Sequence, residues 1–220
     1  MIQHDGITII GNFKRTSQEQ RLAIVGPRKS TPQLDRVAYD LGFKMVQRGY
    51  HVVSGLANGI DYRAMQGAIQ ALKNGHKGGV IALMPCLYPE VYPKANKPLL
   101  DEVLKYGYAI YPYSEKTFEL EQYKNNYYER YPNMKYDIVQ LLTDRSILNG
   151  EICNQVHVVT DDEKIKGGSR YAPTKSLSLG IPTYRWNSDF KYTTEVVMSR
   201  KVNAQDTLYV IQNIRELIDL

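Results

Sequence analysis

The sequence lacks the features of secreted and membrane-bound proteins. Its 220 residues hold only two cysteines, Cys86 and Cys153, which lie far apart, each in or beside an apolar run. This usage predicts buried free thiols in a reducing compartment and excludes a disulfide framework. The apolar run at residues 7–10 is too short for a signal peptide, and no run approaches the ~20 apolar residues of a membrane span. We therefore expect a cytoplasmic protein without membrane contact.

Several catalytic signatures are also missing. The chain has neither a Walker loop nor the Gly-x-Gly-x-x-Gly dinucleotide fingerprint, which disfavours ATP hydrolysis and NAD chemistry. The four histidines, at positions 4, 51, 76 and 157, show no metal-ligand spacing, and no Ser/His/Asp or Cys/His set assembles. The acidic run at residues 161–163 is interpreted as a solvated charge cluster after a strand. We predict no catalytic residue, no metal and no cofactor, and favour a binding protein over an enzyme.

The composition is that of a globular domain with a modest basic surplus. Hydrophobic content of 43% and charged content of 23% are ordinary, and 220 residues fit one domain with a sizeable core. The net charge of +5 and the pI near 9.0 favour an anionic partner. Because we find no internal repeat and no clear linker, we expect a single domain over residues 1–220.

Short apolar runs alternate with helical patterns along the chain. Buried strands are predicted at residues 22–26, 51–55, 79–84, 108–111, 155–159 and 181–184. Apolar residues at helical spacing separate them, and Thr31-Pro32 marks one helix start. The alternation predicts an α/β, Rossmann-like domain with a mostly parallel sheet, helices on both faces and extra edge strands. Residues 205–220 carry a further amphipathic pattern.

Three glycine-bearing turns follow predicted strands. In open α/β sheets, ligands bind beyond the carboxyl ends of the strands, where turns expose backbone N–H groups at helix starts. The turn at residues 26–30, Gly-Pro-Arg-Lys-Ser, is predicted to hold phosphate, although a tight turn with solvated cations gives the same pattern. In the turn at residues 54–61, Asp61 either contacts a ribose or a cation or caps the next helix. With the Gly-Gly-Ser turn at residues 167–169, these turns predict a shared phosphate crevice.

A tyrosine-rich insertion occupies residues 114–136. Tyrosines at positions 113, 123, 127, 128, 131 and 136 interleave with Lys116, Lys124, Arg130 and Lys135. Aromatic rings among cations are how proteins grip single strands, by stacking and by backbone charge. The alternative, which we favour, is that these tyrosines pack a small subdomain or a dimer contact.

The turns resemble those of the DNA-processing protein A family (DprA, also called Smf), within a wider group of Rossmann-like nucleotide-binding folds. Residues 53–61, VSGLANGID, match the family's Ser-Gly-Leu-Ala-x-Gly-Ile-Asp segment almost letter for letter. Residues 22–30, LAIVGPRKS, are similar to its strand followed by Gly-Ser-Arg, with Pro27 replacing the usual small residue. Residues 92–96 resemble its Tyr-Pro-x-x-Asn, and residues 168–182 its Gly-Ser…Gly-x-Pro block.

The resemblance implies binding of single-stranded DNA in a basic pocket at these turns. It further implies a homodimer, loading of a RecA-type recombinase, and a role in DNA processing, uptake, transformation or recombination. The family is not known as an enzyme. The predicted set for binding nucleic acid or phosphate combines the turns with the matched positions: Gly26, Arg28, Lys29, Ser30, Ser54, Gly55, Leu56, Asn58, Gly59, Asp61, Lys94, Asn96, Arg145, Gly168 and Ser169.

The chain also departs from the family pattern. The family's Arg-Asn-Arg segment is poorly kept, with only Arg145 and Asn149 near it, and the tyrosine-rich insertion is foreign. We expect neither a winged-helix module nor an amino-terminal helical module, which bears more on recombinase loading than on strand binding. Two other interpretations stay open. One is a sensor of a small nucleotide-derived ligand, such as ADP-ribose or a mononucleotide; the other, a phosphoribohydrolase, is disfavoured because its Pro-Gly-Gly-x-Gly-Thr loop is absent.

Overall fold

A nine-stranded sheet forms the centre of the protein, which a computed structural model describes over residues 1–4, 6–14, 19–115 and 137–198. The strands of this sheet are β1 (Ile2–His4), β2 (Ile7–Gly11), β3 (Arg21–Val25), β4 (His51–Ser54), β5 (Gly79–Leu83), β6 (Tyr108–Tyr111), β7 (Gln155–Val159), β9 (Thr183–Trp186) and β10 (Tyr192–Thr193). Two further short strands, β8 (Lys164–Ile165) and β11 (Val197–Met198), form a separate parallel pair.

The strands lie in the order β1-β2-β6-β5-β4-β3-β7-β9-β10. The six strands from β6 to β9 are mutually parallel, whereas β1, β2 and β10 join the edges through antiparallel pairings. This arrangement confirms the predicted Rossmann-like class with a mostly parallel sheet and extra edge strands. The two-residue strands β8, β10 and β11 were not predicted, because elements of that length carry no periodicity.

Helices cover both faces of the sheet. On one face lie α1 (Pro32–Gln47), α2 (Ile60–Lys73) and α3 (Lys97–Tyr106), and on the other α4 (Ile138–Glu151) and α5 (Tyr171–Ser178). Strand β3 is apolar from Leu22 onward because both of its faces are covered by helices. Its Leu22 and Ile24 pack among α1–α3, while its Ala23 and Val25 pack toward α4 and α5.

The order of connections creates a crevice. From β3 the chain moves outward through β4, β5 and β6, and then it returns across the sheet to β7 on the other side of β3. Connections therefore leave β3 and β7 on opposite faces, and a gap opens beyond their carboxyl ends. Two of the helices have side-chain caps: the Thr31 Oγ1 accepts from the Leu34 N–H at the start of α1, and Asp137 accepts from the N–H groups of Val139 and Gln140 in α4.

The cysteine prediction agrees with the structure, and His51 and His157 lie on strands of the sheet. Cys86 and Cys153 are both buried free thiols. His157 is buried, its Nδ1 accepts from the Trp186 indole N–H at 2.9 Å, and burial lowers its pKa to about 4. His51 lies half-buried, with its Nε2 3.1 Å from the Glu19 carboxylate. No helix in the described ranges is long and apolar enough to cross a membrane.

Much of the tyrosine-rich insertion and the carboxyl-terminal pattern at residues 205–220 lie outside the described residues. Tyr113, at the edge of the insertion, is buried, and its hydroxyl donates to the Leu141 carbonyl at 3.3 Å. This one tyrosine therefore joins the sheet to α4 as a packing residue. The stacking and subdomain interpretations of the other tyrosines stay predictions.

Glycines allow the close approach of α1 and α2, which carry the first two turns. A Cβ at Gly67 would lie 1.9 Å from the Tyr39 carbonyl oxygen, and one at Gly42 would lie 2.1 Å from that of Ala64. We expect Gly67→Ala to lower the free energy of unfolding in urea by roughly 1–3 kcal/mol, because overpacking outweighs alanine's better helix propensity of about 1 kcal/mol. Gly168→Ala is the control, since no atom of the described residues lies within 4 Å of its Cβ position. Equal stability of the two variants would contradict the packing argument.

Candidate nucleic-acid interface

A crevice of about 590 Å³ opens beyond the carboxyl ends of β3 and β7. The three glycine-bearing turns contribute to its wall: residues 26–28 from the first, Ala57 and Asp61 from the second, and residues 167–169 from the third. Helix α4 supplies another wall. The structure thus brings together the three turns that the sequence predicted would share a crevice.

The first two turns interlock through their backbones. Gly59 has a φ of +77°, and a Cβ there would lie 2.4 Å from the Pro27 carbonyl oxygen. The Ile60 N–H donates to that same oxygen at 3.3 Å. A Cβ at Gly26 would lie 2.6 Å from both the Ile60 side chain and the Val159 carbonyl oxygen. The glycines therefore let two turns and the end of β7 meet without an intervening side chain.

The second turn is shaped from behind. The Ser54 hydroxyl accepts from the Leu56 N–H at 3.1 Å, and the Asn96 Nδ2 donates to the Leu56 carbonyl at 2.7 Å and to the Asn58 Oδ1 at 3.0 Å. Leu56 is fully buried with a φ of +51°. Ser54, Leu56 and Asn96 hold the loop in this conformation and do not line the crevice.

Asp61 lies buried at the base of the crevice. Its carboxylate accepts backbone hydrogen bonds from Gly55 and Ala57, and burial raises its pKa to about 6 against the opposing effect of the Arg145 and Arg28 charges. The carboxyl group of Asp61 therefore titrates close to neutral pH, whereas an exposed aspartate is fully ionised there.

Arg145 of α4 is the most deeply placed cation in the crevice. Its residue is 3% exposed, and a Cβ at Gly55 would lie 0.8 Å from its Nη1, so only glycine leaves room for the guanidinium. Its Nε and Nη1 find no hydrogen-bond partner among the residues that the structure describes. Buried N–H groups in native proteins are nearly always paired, so these unpaired donors make Arg145 a candidate for binding a ligand.

The charge of the lining is positive. Arg28, Arg145, Lys166 and Arg170 line the crevice, against the carboxylates of Asp61 and Asp162. The Lys166 Nζ lies 3.6 Å from Asp162, at an exposed site where such a pair contributes little. The Arg170 guanidinium lies over the Tyr171 ring at 5.2 Å, and its buried Nε has no partner in the described part of the chain. Guanidinium groups with unused donors are suited to phosphate.

The third turn forms a short 3₁₀ helix, Gly167–Arg170, that leads directly into α5. Among the described residues, nothing lies within 4 Å of the Cβ position of Gly168, so no described neighbour packs against the turn there. Helix α5 is fixed against α4 where a Cβ at Gly150 would lie 2.2 Å from the Ala172 carbonyl oxygen. The amino terminus of α5 therefore presents its backbone N–H groups near the basic side chains, as in many anion sites.

The structure places the predicted residues in two groups. Those that line the crevice or a small pocket beside it are Gly26, Arg28, Gly55, Asn58, Asp61, Arg145, Gly168 and Ser169. Those that line neither are Lys29, Ser30, Ser54, Leu56, Gly59, Lys94 and Asn96. Lys29 and Lys94 are exposed, and the Ser30 hydroxyl donates to the Asp35 carboxylate. These three side chains therefore lie outside the crevice lining, although they are close in sequence to residues that form it.

Sequence reasoning missed several lining residues. Lys166 and Arg170 lie on either side of the Gly-Gly-Ser turn. Their position next to a turn that was predicted to bind phosphate could have identified both as candidates. On α4, Thr143, Ser146 and Asn149 recur every third residue and line the crevice, a polar stripe that helical spacing would have shown. The described residues hold no cluster of three or more potential metal ligands.

Comparisons with known proteins agree on one family. The sequence model of the family of DNA recombination-mediator protein A matches residues 6–131. The chain is 28% identical to the DNA processing protein DprA of Bacillus subtilis over 107 residues, covering 49% of this chain and 34% of the relative. It is 21% identical to the protein Smf of Borreliella burgdorferi over 197 residues, covering 88% of this chain and 55% of the relative. The chain thus spans a third to about half of these relatives' length.

A solved structure shares the fold. DNA processing protein A from Helicobacter pylori, described for its single-stranded DNA binding mode, superposes with a TM-score of 0.63 at 19% identity. The match covers 96% of this chain and 86% of that one. This likeness shows that the shared fold includes the part of the chain beyond residue 131.

The burial of Asp61 predicts a pH-dependent stability. Because its folded pKa of about 6 lies above the ordinary 3.8, protonation favours the fold, and this contribution is lost as pH rises through 6. Relative to Asp61→Asn, which does not titrate, the wild type should lose up to roughly 3 kcal/mol of unfolding free energy between pH 4 and 7. Urea unfolding at several pH values measures the difference. The exposed Asp189→Asn is the control, and a difference for Asp61→Asn that does not change with pH would contradict the burial argument.

Proposed function

Because the chain belongs to the DNA recombination-mediator protein A family, we propose that it binds single-stranded DNA in the crevice at the carboxyl ends of β3 and β7. One observation carries the proposal. The buried Arg145 and the half-buried Arg170 each hold N–H groups without a partner among the described residues, in a crevice lined by two further cations. Phosphate is the ligand that guanidinium groups and helix amino termini bind together.

The lining separates into parts suited to different portions of a nucleotide. Arg28 and Lys166 are exposed cations at the wall of the crevice, where they can neutralise backbone phosphates. Tyr92, on the loop that follows β5, and Tyr171, the first residue of α5, are half-buried aromatic residues in the same lining. Rings of this kind stack on unpaired bases regardless of sequence. The proposed mode of binding is therefore phosphate contact with base stacking, without base-edge readout.

The size of the crevice favours a single strand. A volume of about 590 Å³ falls in the range of sites that enclose one ligand of nucleotide size. An unpaired strand can bend a nucleotide into such a site, whereas a stacked and paired duplex presents only its outer surface. We propose that duplex DNA binds more weakly, through non-specific charge.

The proposal extends to DNA processing in recombination. Family membership supports delivery of the bound strand to a RecA-type recombinase and action as a homodimer. Both extensions rest on relatives of which the chain covers at most about half the length. They are tested by co-sedimentation with a recombinase on DNA and by sedimentation of the protein alone.

The adjacent cations Arg28 and Lys29 provide a matched test. Both are exposed, but only Arg28 lines the crevice. We expect Arg28→Ala to weaken binding of a labelled oligothymidylate by about tenfold and to reduce the salt slope by roughly 0.7, because one phosphate contact is lost. Fluorescence anisotropy at several salt concentrations measures both quantities.

Lys29→Ala removes the same charge one residue away and should change the affinity by less than about twofold. Equal weakening by the two variants would show that net charge, and not the crevice, drives binding. No effect of Arg28→Ala at low salt would contradict the proposal itself.

A further inference from the structure

A second, smaller pocket adjoins the crevice. It has a volume of about 80 Å³, and its lining includes Arg28, Gly55, Asn58, Tyr92 and Arg145. Arg28, Tyr92 and Arg145 also line the main crevice, so the two spaces are neighbours that share their cations. A volume of this size holds a few water molecules or one compact anion, and it is far too small for a nucleoside.

The charges around this side pocket are unbalanced. Two guanidinium groups line it, and no carboxylate belongs to its described lining. The pKa of Arg145 is lowered, chiefly because the residue is buried. The nearby positive charge of Arg28 lowers it further, which shows that the two cations are close. The nearest compensating carboxyl, Asp61, lines the main crevice and already accepts from the backbone of Gly55 and Ala57. The side pocket therefore lacks negative charge.

Arg145 gives the side pocket a built donor. The residue is buried, and its Nε and Nη1 have no partner within the described residues. The guanidinium packs against the bare backbone of Gly55, and its burial restricts the positions that it can take. Fixed donors bind an anion without the cost of ordering a long side chain.

We propose that the side pocket is a subsite for a phosphomonoester, so that the crevice prefers a DNA strand at its phosphorylated end. A phosphomonoester carries about −1.5 to −2 charges near pH 7, whereas an internal phosphodiester carries only one. Two guanidinium groups match the greater charge. A terminal phosphate is tethered on one side only and enters a small pocket, but an internal phosphate must leave room for the chain on both sides. This inference rests on the proposed function.

Asn58 allows a test that leaves the cations in place. It lines the side pocket and not the main crevice, it is exposed, and its Oδ1 accepts from Asn96. Asn58→Asp keeps that acceptor and adds a negative charge to the wall of the side pocket alone. Asn74→Asp is the matched control, because Asn74 is also exposed and its Oδ1 accepts from the Gln70 amide at the far end of α2.

The experiment compares oligonucleotides of one sequence with a 5′-phosphate, a 3′-phosphate or no terminal phosphate, by anisotropy with the full chain. We expect one phosphorylated form to bind about tenfold more tightly than the unphosphorylated form. Asn58→Asp should remove most of this difference, whereas Asn74→Asp should keep it. Thermal denaturation of both variants checks that each is folded. Competition by a nucleoside monophosphate, but not by the nucleoside, would show that the monoester itself is recognised and would support the subsite.

Two results separate the inference from the proposed function. Equal affinity for all three oligonucleotides, with weaker binding of each by Arg28→Ala, would overturn the subsite and leave strand binding in the crevice intact. A phosphate preference that Asn58→Asp and Asn74→Asp reduce equally would also overturn it, because the cause would then be net charge. Failure of every oligonucleotide to bind would overturn the proposed function instead.

Discussion

The guanidinium of Arg145 packed on the backbone of Gly55 is the contact on which the site depends. Taking a cation out of water costs several kcal/mol unless other groups compensate. Here the compensation is incomplete, since Asp61 is shared with Arg28 and with two backbone N–H groups, and Nε and Nη1 of Arg145 have no partner in the described ranges. The fold keeps this arrangement because α4 is held against the sheet by a large apolar contact around it. The unpaired donors thereby lower the stability locally, as expected for the anion site that we propose.

The topology of the sheet explains why this residue reaches the crevice. Arg145 lies on the helix before β7, while Gly55 follows β4, two strands away in the sheet. They meet because the chain crosses from one side of β3 to the other and places α4 on the face opposite α1 and α2. The close approach of the first two turns, through Gly59 and the Pro27 carbonyl, then closes the base of the crevice. Strand order and two glycines position the cations more than any local motif does.

The sequence was most informative about the course of the backbone, in the sheet and in the turns that form the crevice. The apolar runs and glycine turns predicted the parallel sheet and the three turns that meet, because those features follow from local periodicity and conformation. Side-chain direction was less predictable: Arg28 lines the crevice and Lys29 does not, although both are exposed. Lys166 and Arg170 flank the Gly-Gly-Ser turn in the sequence, but their place in the crevice lining also depends on the short strand β8 and on the packing of α5 on α4. Asn96 was assigned to the pocket, but its amide shapes the second turn from behind.

The central claim is that single-stranded DNA occupies the crevice between β3 and β7. Photo-cross-linking with an oligonucleotide carrying halogenated pyrimidines, followed by mass spectrometry of the peptides, tests it most directly. We expect cross-links at Tyr92 and Tyr171, the aromatic residues of the crevice lining. Cross-links confined to the amino ends of the parallel strands, such as the turn at residues 48–50 between α1 and β4, would contradict this proposal.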